Sequence, residues 1–134
     1  MRFLKMLLIF SMLANIQFAF ANERCKSCAK LDNLTAKLAG NEAGSLQQAR
    51  HQIETFEFSK ARGLRRLEIS SFVKLGAVAI AKDPSGDSDS YFYNAYLEDK
   101  PRFDQAIAEL PEYERALIRK SLKDTAATMR NGNG

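Results

Sequence analysis

The residues with the most chemical content are Cys25 and Cys28, the only two cysteines of the 134-residue sequence, in the run Cys25-Lys26-Ser27-Cys28. On a helix, positions i and i+3 lie on one face, close enough for a disulfide. The run falls at the start of a helical stripe, where unpaired amides and the helix dipole favour thiolate. Arg24, Lys26 and Lys30 act in the same direction. The leading expectation is a plain disulfide that staples the N-terminal end. A loop this short removes little chain entropy, about 2 kcal/mol, which makes it a poor staple and leaves redox exchange as the second reading. A thioredoxin-like role requires strands around the motif, and the pattern here is helical. Haem attachment requires histidine after Cys28, where Ala29 stands. A zinc site within one chain lacks ligands, although two chains together offer four cysteines.

Other candidates have less specific patterns. His51, the sole histidine, has Glu54 one turn on, and reads as a surface or core-edge residue. Asp83, Asp87 and Asp89 occupy a Ser/Gly-rich stretch but miss the positions of a calcium-binding loop, so a solvated loop is expected. Tyr91, Tyr93 and Tyr96 cluster with Phe92, and packing is their default role. One or two exposed tyrosines would offer contact area with a polar tip. Lys60, Arg62, Arg65 and Arg66 form a basic knot around Gly63, which Glu57 and Glu68 are placed to neutralise in part. No catalytic constellation is present, and no metal or cofactor is expected.

The elements that must position these residues are helices. Beyond Ala21 there are only two valines, many strong helix formers and no sustained alternation. Cys28, Leu31, Leu34 and Leu38 form one stripe, with Gly40 placed to end it. Ser45 and Gln48 suit a capping box, followed by Leu46, Ala49, Ile53 and Phe56 at helical spacing. A short break or kink is expected at Gly63. Phe72–Ala81 is apolar nearly all round, as in the central helix of a bundle, and Gly76 with the alanines would allow close approach. Asp83–Ser90 is the clearest loop, and a short aromatic helix spans Tyr91–Glu98. Pro101 and Pro111 suit first turns of helices. The last helix runs from Pro111 to about Met129, with Ile118, Leu122, Thr125 and Met129 inward.

Residues 1–21 carry Arg2 and Lys5, then the apolar Met6–Ala14 run, then Ala19-Phe20-Ala21, the pattern of a cleavable secretory signal. The expected organisation is a signal peptide at 1–21, one helical domain at 22–130 and a disordered tail at 131–134. No later run is long enough to span a bilayer. The whole sequence has a net charge of +4, but its charge is divided into blocks. Residues 50–82 and 115–134 are basic, and 83–114 is strongly acidic. Packing of these blocks on one another would cancel much of the charge, and in an exported protein nucleic acid is not an expected partner of the basic knot, for which anionic lipid or polysaccharide is the more plausible polyanion. The fold class is all-α, a bundle of five or six helices. The functional expectation is a small exported, periplasmic or secreted, protein-binding module of the cell envelope, with Tyr91, Tyr93 and Tyr96 and the knot of Lys60, Arg62, Arg65 and Arg66 as its contact patches. Thiol–disulfide or metal handling at Cys25/Cys28 is the alternative, and a structural envelope component the third.

Overall fold

The computed structural model describes residues 25–132, so the signal-peptide reading of 1–21 lies outside the described residues. These residues fold as six helices with no strand: α1 Lys26–Ala39, α2 Ser45–Thr55, α3 Arg62–Lys82, α4 Asp87–Glu98, α5 Lys100–Ala108 and α6 Glu112–Gly132. The all-α bundle expected from the sequence is therefore present. No helix among the described residues is long and apolar enough to cross a membrane.

α3 is the axis of the bundle and packs against the other five helices. Its Phe72–Ile80 stretch is buried at nearly every position, with Lys74 as the exposed exception. A helix apolar on all sides needs neighbours on all sides, which is why the remaining amphipathic helices wrap it. The core is built around Phe72. Phe92 of α4 stacks on it at 5.8 Å and 16° between planes. Phe103 of α5 meets it edge-on at 5.8 Å and 74°. A side-chain carbon at Gly76 would lie 2.5 Å from the Phe92 ring, so the missing Cβ is what lets that ring sit against α3.

The break before α3 is wider than the sequence suggests and lies earlier. α2 stops at Thr55, residues 56–61 are non-helical, and Gly63 is already in the first turn of α3. The cause is Phe56 and Phe58. In extended chain, residues two apart point to the same side, and both rings pack on Phe72, at 5.9 and 5.1 Å. Helical geometry would turn them apart.

Other local expectations are also corrected. The capping box at Ser45 does not form. Gly44, at φ +79°, precedes the helix without a side-chain cap, and the Ser45 hydroxyl donates back to the Glu42 carbonyl at 2.6 Å. The loop expected at Asp83–Ser90 is shorter, because α4 begins at Asp87. Gly86 at φ +81° makes the turn, and Asp83 accepts hydrogen bonds from the Ser88 amide and hydroxyl at 3.2 and 2.7 Å. α6 continues past Met129 through Asn131 to Gly132, so the first half of the expected disordered tail is helical. Of its expected inner seam, Ile118 is fully buried, while Met129 is exposed and Ser121 takes a buried place.

Candidate functional site

The start of α1 is held by sulfur. Cys25 is the residue before the helix, and its Sγ accepts the Cys28 amide at 3.2 Å, the place a serine or aspartate oxygen usually fills. Cys25 and Cys28 are joined as a disulfide with Cα atoms 5.2 Å apart. Both residues are buried. Ser27, between them, has its Oγ 3.6 Å from the Cys25 sulfur and donates to Glu68 Oε2 at 2.6 Å.

Glu68 is the residue that sequence reasoning assigned to the wrong side of α3. It does not neutralise the basic knot; it is 2% exposed and faces inward. Its Oε1 accepts the Ser59 amide at 2.7 Å, and Oε2 accepts the Ser27 hydroxyl. No ion pair reaches it among the described residues. Burying a carboxylate on two neutral donors is expensive compared with leaving it in water. The signal was in the spacing: Glu68 shares the helical stripe of Phe72, Leu75 and Ala79, all buried. The buried Cys25, Cys28 and Glu68 and the half-buried Ser27 and Ser59 thus form one polar junction, in which the tip of α1, the non-helical segment 56–61 and α3 meet.

The basic knot is not a single patch. Arg65 turns inward, its Nε donating to Asp99 Oδ2 at 2.8 Å and its guanidinium lying 5.7 Å from the centre of the Phe58 ring. Arg102 donates to the same Asp99 oxygen at 2.9 Å. Burial would raise the Asp99 carboxyl, but the bonds from Arg65 and Arg102 outweigh it and lower it below the ordinary range. Lys60, Arg62 and Arg66 remain exposed at the surface.

The tyrosines also separate. Tyr96 packs edge-on to Phe103 at 6.0 Å and donates to Asp104 at 2.9 Å; burial and that bond raise its hydroxyl. Tyr91 lines a groove between α2 and α4 with Ile53, Glu54, Phe56, Asn94, Ala95 and Glu98. The Glu54 charge, followed by burial, raises its hydroxyl. Tyr93 is half-buried. Tyr93 and Tyr96 are neighbours at i, i+3 on α4, while Tyr91 faces the α2 groove.

The acidic residues of the presumed loop disperse as well. Asp83 is buried and pairs with Arg50 at 3.2 Å, Asp89 accepts from Ser121 of α6, and Asp87 is exposed. Burial would raise the Asp83 carboxyl, yet the hydrogen bonds from Ser85 and Ser88 hold it down at about 2.

One surface feature was not anticipated. A cleft of about 310 Å³ opens between α1 and α2, lined by Lys30, Asn33, Leu34, Lys37, Gln48, His51 and Gln52. Positions 30, 33, 34 and 37 form one stripe of α1, and 48, 51 and 52 the facing stripe of α2. The lining carries two ammonium groups, an imidazole and three amides, and no carboxylate. Leu34 is its buried floor. His51 is exposed in this cleft rather than set against the core. No family profile, curated protein or solved structure matches this chain.

Proposed function

We propose that the protein is a small exported interaction module of the cell envelope that binds another protein through its helical surface. The observation that carries this reading is the α1–α2 cleft, an open concave site lined by two lysines, a histidine and three side-chain amides, with Glu42 at 4.0 Å from Lys37 as the nearest paired carboxylate. It suits an acidic side chain or chain terminus presented by a partner, with Lys30 and Lys37 at either end of the α1 stripe and Leu34 as an apolar seat. The exposed Lys60, Arg62 and Arg66 would extend contact to an acidic partner.

The test is capture from an envelope fraction by the purified mature protein, with Lys30→Glu/Lys37→Glu as the variant. A partner retained by the wild type and lost by the double variant, with unchanged thermal unfolding, supports the reading. Equal capture by both removes the cleft from it. A second reading, thiol–disulfide exchange at Cys25/Cys28, is favoured by the sulfur-capped helix start and the Ser27–Glu68 bond beside it. Running the capture with and without reductant separates the two.

A further inference from the structure

We infer that Glu68, acting through the Ser27 hydroxyl, is the proton acceptor that activates Cys25 when the Cys25/Cys28 pair is reduced. The inference rests on the thiol–disulfide reading. Three observations converge on it. Cys25 Sγ already accepts the Cys28 amide at the helix start, an arrangement that stabilises a thiolate there. Ser27 Oγ stands 3.6 Å from that sulfur and 2.6 Å from Glu68 Oε2, so one hydroxyl touches both groups. Glu68 is buried with no ion pair among the described residues, although an exposed position for a glutamate costs a helix nothing.

The chemistry balances with a low-molecular-weight disulfide as the oxidant. In the dithiol form, the Cys25 thiol proton passes to Ser27 Oγ as the Ser27 hydroxyl proton passes to Glu68. The Cys25 thiolate attacks one sulfur of the external disulfide, forming a mixed disulfide and expelling a thiolate. Cys28, losing its proton to solvent, then attacks Cys25 Sγ. The mixed disulfide breaks, the second external thiolate leaves, and the Cys25–Cys28 bond closes. The pair has lost two electrons and the external disulfide has gained them. The two expelled thiolates take up two protons, one from Glu68 and one from solvent.

The charged groups flanking this junction are Lys26 on α1, Glu57 and Lys60 beside Ser59, and Arg65 one turn back on α3. Lys26, Glu57 and Lys60 are exposed, and Arg65 is committed to Asp99. Among the described residues none of the four pairs with Glu68, which leaves the Ser27 hydroxyl and the Ser59 amide as its partners. Both cysteines are buried, so the proton leaves the Cys25 thiol in place, while Ser27 still bonds Glu68, and opening of the first turn of α1 then brings the thiolate to the external disulfide, a step common to all variants below.

The experiment reduces the full chain with dithiothreitol, removes the reductant, and follows reoxidation by glutathione disulfide from about pH 6 to about pH 9. Glu68→Gln keeps one oxygen for the Ser59 amide and sets its NH2 toward the Ser27 hydroxyl, which removes the proton acceptor at little change of shape. Reoxidation of Glu68→Gln and of Ser27→Ala is expected to slow about tenfold or more near pH 6, toward the lower range of general-base effects. The difference should close near pH 9, where solvent deprotonates the thiol. The double variant should be no slower than either single one. Superimposable pH profiles for wild type and both variants overturn the role of Glu68 while leaving exchange intact. A wild-type pair that reoxidises no faster than free cysteine overturns the exchange reading and the inference together. Should Glu68→Gln fail to fold, Ser27→Ala carries the same comparison.

Discussion

Asp83 and Glu68 are both buried carboxylates on the central part of the bundle, and they are treated in opposite ways. Asp83, just past the end of α3, receives bonds from the Ser85 and Ser88 amides and hydroxyls and pairs with Arg50. Every lone pair has a donor, and a cation answers the charge. Glu68, near the start of the same helix, has two neutral donors and no ion pair among the described residues. The first is an acid built to be charged and to hold α4 to α3. The second is an acid held, among the described residues, by two neutral donors alone, beside the Cys25/Cys28 pair. A buried acid that is fully answered points to stability, and one that is not points to function.

The contrast can be broken most severely at Asp83. Asp83→Ala leaves two serines without their acceptor and the Arg50 guanidinium without its counter-charge, and should cost about 3 kcal/mol in urea unfolding, the scale for breaking a buried pair. A loss below about 1 kcal/mol would remove the distinction. Arg65→Glu comes next. Arg65 Nε is 2.8 Å from buried Asp99, so an acid there sets like charges together and should cost about 2 kcal/mol. The type and spacing of the knot alone would have suggested a harmless surface change.

Acid provides a third and gentler probe. The folded Asp83 carboxyl lies at about 2 against an ordinary 3.8. Its contribution, about 2 kcal/mol, is complete above the ordinary value and fades as pH falls through the folded one. Asp99, lowered in the same direction, adds to that loss. The urea midpoint should therefore fall between about pH 5 and about pH 2, with a shallower fall in Asp83→Asn. The smallest effect belongs to Glu68→Gln. The amide oxygen can accept the Ser59 amide while its NH2 donates to the Ser27 hydroxyl, so both contacts survive with one reversed, and stability should move by less than about 1 kcal/mol in either direction. A loss comparable to that of Asp83→Ala would make Glu68 a structural acid after all.

Much of this architecture was legible in the residue pattern. Helical spacing gave α1 and α2 their buried faces, and the all-round apolar Phe72–Ala81 run identified α3 as the central helix. What periodicity could not see were contacts between segments distant in sequence. Phe56 fits the α2 stripe and was therefore read as helical, yet the docking of Phe56 and Phe58 onto Phe72 pulls both out of the helix. Asp83 looked like loop composition because its partners Ser85 and Ser88 are also turn formers. The disulfide was expected from spacing. Its buried neighbour was not, because Glu68 lies 41 positions from Ser27 and only two from the basic Arg66. The same distance effect dissolved the basic knot, since Arg65 finds its acid 34 residues away.

The close seat of Phe92 against Gly76 bears on how relatives of this chain could be recognised. With a ring carbon 2.5 Å from where a Cβ would stand, neither position can drift alone: a larger residue at 76 demands a smaller one at 92. Homologues too diverged to align by overall similarity should still carry this small-for-large exchange, and the two columns should covary. The glycine within the Phe72–Ala81 stretch, paired with an aromatic on the helix after the next turn, is thus a signature to search by.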